Sequence, residues 1–391
     1  MDISLPKPKG ISLFQRFYRK LIRDTGRDVR EYPSKVNDPK LAFVYLKLIK
    51  KKELYHHTNT LEIICIIETL NILGYDVVLV DRGCSKIPKR YLNKTVDLYI
   101  GQNGFGGGRH CFNHLKDIAA KKNIIIFTQQ PPLLQQKRTI RRNNRRAKLL
   151  STNFECTRNV CAKEAILFEK EINSFDLIMV PETEDLEFRN ELKRLNVEIK
   201  KLNWSTLSRV MPIERSANCP NDFILMAGGE PIRKGIDFAV EIFRDLPYKL
   251  HILTPDISRV DEIISAYNNP SNIINHGFID LGSGEFEKIA RNCKYCLNFA
   301  YSEGLATSQL HCMKTGLIPI IDKDAGKISF NKGLEINLEN NDIAQVRKSI
   351  KDYLNGMNWD AYKKISEQTI DFIYENYTIE TFRHDILKAL R

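Results

Sequence analysis

The sequence predicts an α/β protein built as two doubly wound, Rossmann-like domains that face each other across a cleft. Three observations carry that expectation. The chain has 391 residues, more than one hydrophobic core normally organises, and two domains of about 150 to 200 residues follow. From about residue 41 onward, short β-rich runs alternate with helical patterns, as in parallel sheets covered on both faces. The alternation then restarts near residue 221, so a second unit of similar size follows the first.

Residues 1–40 stand apart as a basic N-terminal segment. In ISLFQRFYRKLIR, Ile11, Phe14, Phe17, Leu21 and Ile22 share one helical face, with Arg16, Arg19, Lys20 and Arg23 mostly around the other sides. A helix over 11–23 either packs on its own domain or lies on an anionic membrane surface. The first domain, 41–210, has LAFVYLKL, YDVVLVD, VDLYIG, NIIIFT and FDLIMVP as strands. Among its helices, TLEIICIIETLNILG is stopped by Gly74. The boundary falls within 205–221. The second domain, 211–358, has FILMAGG, KLHILTP, NIINHGF, YCLNFA and LIPIID as strands, alternating with helices such as IDFAVEIFRDL and SGEFEKIARNC. Residues 359–391 read as two C-terminal helices broken near Asn376 to Thr378, packing back toward the first domain.

Composition narrows the function classes. A charged fraction of 28% beside 42% hydrophobic residues describes a soluble globular protein. The formal charge of +12 suits an acidic partner, whether nucleic acid, anionic lipid or a phosphorylated small molecule. Nine cysteines, an odd number thinly spread, indicate a reducing compartment and no disulfide framework. Cys293 and Cys296 form a CxxC, but no second ligand pair follows at zinc-site spacing, and YCLNFA reads as a buried strand. No signal-peptide core is visible, and no apolar run approaches the ~20 residues of a membrane span. The expected location is cytoplasmic, with peripheral contact at the inner face of the membrane. A second contact of that kind is offered by QQKRTIRRNNRRAKLL, where Lys137, Arg138, Arg141, Arg142, Arg145, Arg146 and Lys148 crowd together. The run 137–148 reads either as a solvated helix or loop or as a surface that docks on acidic lipid or a polyprenyl-diphosphate-linked acceptor. Nucleic acid ranks behind both, because no aromatics interleave for stacking and no RNA-binding motif is present.

Two stretches carry chemistry. FILMAGGEPIRKGIDFAVEIF is a strand, a loop and a helix. Gly228 and Gly229 allow close backbone approach, and Arg233 with Lys234 place two cations at the carboxyl end of the strand. Ligands bind there in open α/β sheets, and paired cations suit a diphosphate. SEGLATSQLHCMKTGLIPII again follows a strand. The amides from Gly304 through Leu305 and Ala306 to Thr307 open a helix and form a seat for phosphate oxygens. Glu303 would repel phosphate, and its carboxylate instead suits the hydroxyls of a group attached to that phosphate, which points to a nucleotide-sugar.

These two stretches resemble the retaining GT-B glycosyltransferases, the glycogen-synthase-like and lipopolysaccharide-type family. The loop GGEPIRKG corresponds to the family's G-x-x-x-x-K-G, and SEGLATSQLH to its E-x7-E, here as E-x7-H. The resemblance is specific over about 222–330 and thin before that. It implies a GT-B fold and transfer of a hexosyl group from a nucleotide-sugar co-substrate, without metal or other cofactor. The acceptor would be a glycan or a polyprenyl-diphosphate-linked saccharide, in cell-surface or capsule polysaccharide synthesis. By the same resemblance, Arg233 and Lys234 neutralise the leaving diphosphate, Glu303 holds sugar hydroxyls, and Ile279 lies near the base. His311 stands where the family usually has a ribose-binding Glu. A phosphorylase, a nucleotide-sugar epimerase or a catalytically silent binding protein of the same fold are the alternatives.

On the acceptor side, three clusters are candidates: His56, His57 and Asn59 in YHHTNTLE, Arg109 and His110 after a Gly-rich loop, and Gln129 with Gln130 in FTQQPP. Related enzymes commonly have a His facing the donor sugar at the last of these. Asp322 and Asp324 mimic a D-x-D metal motif but read as turn carboxylates.

Overall fold

A computed structural model of the protein describes residues 29–46, 60–81, 91, 94–102, 115, 118, 120–152, 154, 162–326 and 328–391. The first sheet contains β1 (Val29–Tyr32), β2 (Lys40–Leu46), β3 (Tyr75–Asp81), β4 (Val96–Gln102), β5 (Ala120–Ile126), β6 (Leu177–Val180) and β7 (Glu198–Lys201), in the order β1-β3-β2-β4-β5-β6-β7. All its neighbours are parallel except β1, which runs antiparallel to β3. The helices α1 (Thr60–Ile72), α2 (Pro132–Leu149), α3 (Ala162–Glu171) and α4 (Leu186–Lys193) connect these strands. Side chains alternate across the sheet as the period of two requires. Phe43 and Tyr45 of β2 enter one apolar cluster, and Ala42, Val44 and Leu46 enter another.

The second sheet contains β8 (Asp222–Met226), β9 (Leu250–Leu253), β10 (Ile273–Gly277), β11 (Cys293–Asn298), β12 (Ile318–Asp322) and β13 (Leu334–Ile336). Its order is β10-β9-β8-β11-β12-β13, parallel throughout. With it go α5 (Ile236–Phe243), α6 (Ile257–Ala266), α7 (Gly284–Arg291), α8 (Thr307–Lys314) and α9 (Ile343–Asn355). The strand runs read from the sequence all appear. Strands β1, β7 and β13 were not anticipated, and β1 lies within the segment set apart as 1–40. At three or four residues each they are too short to show alternation.

The chain ends in α10 (Trp359–Asn376) and α11 (Ile379–Leu390). Thr378 separates them, its hydroxyl accepting the Thr381 amide at 3.1 Å as an N-cap. Helix α11 lies on α1 of the first domain, with Arg383 donating to Glu68 at 2.9 Å. Phe382 stacks on Trp204 of the interdomain linker at 5.9 Å between centroids, a contact worth about 0.5–1.5 kcal/mol beyond its buried area. Leu202, Trp204, Leu207 and Val210 carry the linker into a core cluster that holds residues of both domains. Among the described residues no helix is long and apolar enough to cross a membrane.

Candidate active site

The second sheet fixes where its chemistry sits. From β8 the chain moves outward to β9 and β10, then returns to place β11 on the other flank of β8. The loops after β8 and β11 therefore meet at the topological switch point. The sequence motifs lie on these two loops. Gly228 and Gly229 are exposed, and a Cβ added to either would meet nothing within 4 Å. Gly235 has φ +72° and ends the loop against β11, since a Cβ there would lie 2.5 Å from the carbonyl oxygen of Phe299. That closure draws Arg233 and Lys234 toward the loop after β11.

Arg233, Lys234 and Glu303 converge. Glu303 Oε1 accepts from Arg233 Nη1 and from Lys234 Nζ, the latter at 2.8 Å. Arg233 Nε donates to Glu230 Oε2 at 2.6 Å. Burial alone would raise the Glu303 carboxyl, but Arg233 and Lys234 outweigh it and hold the group down at about 2. Burial also disfavours the Arg233 cation, yet Glu303 and Glu230 keep it firmly protonated. Lys234 is lowered, because desolvation and the neighbouring guanidinium exceed the pull of Glu303. The site thus holds a fixed guanidinium, a desolvated lysine and a firmly ionised carboxylate.

The first domain reaches into this site. Gln129 and Glu303 form an antiparallel backbone bridge, and Gln130, fully buried, donates from Nε2 to the Glu303 carbonyl at 2.9 Å. Gly304 is tightly overlaid, since a Cβ would stand 3.2 Å from the Thr128 carbonyl oxygen and 3.3 Å from Gln129 Cα. The two glutamines thus contact the backbone of the Glu303 loop.

The basic run 137–148 is partly interior. It is helix α2, and Arg138, Arg142 and Arg146, four residues apart on one face, are among the most buried side chains of the protein. Arg138 makes a fork-like pair with Asp185, at 2.6 and 2.8 Å, and donates to the Asp324 carbonyl at 3.2 Å. Arg142 pairs with Asp322, and Arg146 with Asp237 and the Ile232 carbonyl. Arg145 reaches the Leu338 and Asn341 carbonyls. Arg142 and Arg146 also stand over the rings of Phe238 and Tyr301. Arg138, Arg142, Arg145 and Arg146 therefore bind the first domain to the second, while Lys137 and Lys148 of the same run are exposed. Asp322 and Asp324 of the D-x-D look-alike face these arginines. The signal available in the sequence was the spacing of four in R-x-x-x-R-x-x-x-R.

His311 lies in α8. It is completely buried. Its Nδ1 donates to the Thr307 carbonyl at 2.6 Å, and its Nε2 accepts the Leu207 amide at 2.9 Å. Desolvation holds the ring neutral, lowered to about 4. Lys314, one turn on, donates to the Leu207 carbonyl at 2.9 Å, so α8 grips the linker by both backbone groups of one residue. Leu305 and Ala306 are buried beside Glu303, and no side chain caps α8 at Ala306. Ile279 is buried after β10, next to exposed Phe278, and Asp280 is held by Arg209 at 2.6 and 3.0 Å. His56, His57, Asn59, Arg109, His110 and the helix expected over 11–23 lie outside the described residues.

No protein-family model matches the chain, and no curated protein matches it by sequence. Solved structures do. The chain is similar to sucrose-phosphate synthase from Thermosynechococcus elongatus, with a TM-score of 0.62 at 11% identity over 90% of this chain and 98% of that one. It is similar to WaaG, a glycosyltransferase involved in lipopolysaccharide biosynthesis, with a TM-score of 0.56 at 14% identity over 89% and 98% of the two chains. A third likeness is to Anabaena HepE in complex with UDP and glucose, with a TM-score of 0.53 at 9% identity over 89% and 99%. At these identities the likeness establishes the fold, and the chain has the two-domain GT-B architecture.

Proposed function

We propose that this protein is a retaining glycosyltransferase that moves a hexosyl group from a nucleotide-sugar to a glycan or lipid-linked saccharide acceptor in surface-polysaccharide synthesis. The observation that carries this reading is the convergence of Arg233, Lys234 and Glu303 at the β8/β11 switch point, roofed by Gln129 and Gln130 of the other domain. Arg233 and Lys234 face the charge that grows on the diphosphate as the bond between sugar C1 and phosphate oxygen breaks. They supply the neutralisation that a divalent ion gives elsewhere, which supports a metal-independent reaction. Glu303, ionised across the whole working pH range, accepts hydrogen bonds from sugar hydroxyls. The acceptor hydroxyl then attacks C1 from the face the phosphate leaves, and its proton passes to the departing phosphate oxygen. His311, committed to the linker, leaves the ribose to other groups.

The test is donor hydrolysis measured with a panel of UDP-, GDP-, ADP- and CMP-sugars. Turnover by the wild type should fall by about a hundredfold or more in Glu303→Ala and in Arg233→Ala/Lys234→Ala. Undiminished hydrolysis in those variants would refute the site. Saturable nucleotide binding without turnover would instead mark a silent binding protein.

A further inference from the structure

Two carboxylates face the two cations, so the resting site is formally neutral at the place where a donor would bring about two negative charges. One carboxylate, Glu303, is buried, ionised and anchored through its own backbone by Gln130. The other, Glu230, sits at the open edge. Its side chain is 41% exposed against 10% for Arg233, and it follows the two glycines with free space above them. Its backbone has φ +69°, a left-handed conformation that a glutamate adopts at a cost and that needs a structural reason. The visible consequence of that conformation is the 2.6 Å contact that ties Glu230 Oε2 to Arg233 Nε.

We propose that Glu230 is a displaceable counter-ion of the donor site: it holds and orients Arg233 while the site is empty and gives way when a diphosphate arrives. This rests on the glycosyltransferase reading and adds to it a determinant of donor affinity outside the convergent triad. The exchange is possible because the pair is open to water on one side, where screening keeps such contacts weak. The Glu303 contacts lack that exposure and stay. Glu230 is thus a positioning residue for Arg233, and donor binding competes with it for the same guanidinium edge.

Calorimetric titration of the full chain with UDP, GDP, ADP, CMP and inorganic pyrophosphate tests this. The Glu230→Gln variant, which keeps size and loses charge, should bind the preferred nucleoside diphosphate and pyrophosphate about five- to tenfold more tightly than wild type. Its KM for donor should fall while kcat for hydrolysis does not rise. Glu230→Asp, which restores the charge, should return affinity toward the wild-type value. A purely structural role predicts the opposite, weaker binding by Glu230→Gln together with a lower melting temperature. Equal or weaker binding by Glu230→Gln, with wild type still binding, overturns the counter-ion role and leaves the glycosyltransferase reading intact. If no probe binds wild type or variant, both fall.

Discussion

Removing one arginine from the face of α2 should cost far more than removing the pair to which it belongs. Arg142 and Asp322 are the clearest case, because both side chains are at most 1% exposed and they come from different domains. Arg142→Met keeps the hydrocarbon stem but leaves an uncompensated carboxylate in the interior, a loss of about 3–5 kcal/mol. In Arg142→Met/Asp322→Leu that buried charge is gone. What remains is the Leu338 amide, which in the wild type donates to Asp322 Oδ1 at 3.0 Å, and an orphaned buried donor costs about 1–3 kcal/mol. The double variant should therefore be more stable than the Arg142→Met single variant. The pH dependence has a definite sign. Burial already raises the Asp322 carboxyl, and Arg142 pulls it back. Without Arg142 its folded-state pKa lies further above the unfolded one, so the deficit of Arg142→Met grows as pH rises and shrinks on acidification. Denaturant titration can follow both domains, since Trp204 reports on the linker and Trp359 packs on Tyr362 beside the second sheet. An Arg142→Met variant within about 0.5 kcal/mol of wild type, the range of ordinary surface substitutions, or a double variant no better than the single, would refute the buried-pair argument.

Two further outcomes follow from the site. His311→Gln can satisfy both Thr307 and Leu207 with a neutral amide and should fold, whereas His311→Leu orphans the Leu207 amide at about 1–3 kcal/mol. Because His311 is lowered to about 4 in the fold, the unfolded chain alone binds its proton below about 6.5. Stability should accordingly fall as pH drops through that window. The contribution of His311 is on the order of 3 kcal/mol and is lost in His311→Gln, while that of His251, which burial and His276 also lower to about 4, remains. Thermal scans from pH 7.5 to 4.5 measure it, and an unchanged profile in His311→Gln would contradict the assignment. Gly304→Ala pushes a Cβ against backbone atoms of Thr128 and Gln129 that cannot swing aside. Donor hydrolysis should drop about tenfold through misplacement of Glu303 with little change in melting temperature; full activity would show that the loop contact is incidental.

The sheets were legible because their inner strands are long apolar runs buried on both faces, and because glycines mark the ends of α1 and of the loop at Gly235. Arg233, Lys234 and Glu303 were legible for a related reason, since each follows a strand and the strand order brings the two ends together. The destinations of polar side chains were not. Whether Arg142 is a surface charge or an interior one depends on Asp322, 180 residues away, and nothing local to α2 encodes that partner. The same holds for His311, whose second nitrogen meets Leu207 across 104 residues. Local pattern reveals which groups carry charge, and only the tertiary arrangement reveals what neutralises it.

A helix bolted to both halves of the molecule bears on how substrates come and go. Swinging the domains apart on the α2 side would break Arg142–Asp322 and Arg146–Asp237 together, and salt cannot loosen pairs that water does not reach. For the proposed donor, the exposed edge left at the site is the rim formed by Gly228, Gly229 and Glu230. In the proposed enzyme, product escape should therefore respond to substitutions at Gly228, Gly229 and Glu230 far more than to ionic strength.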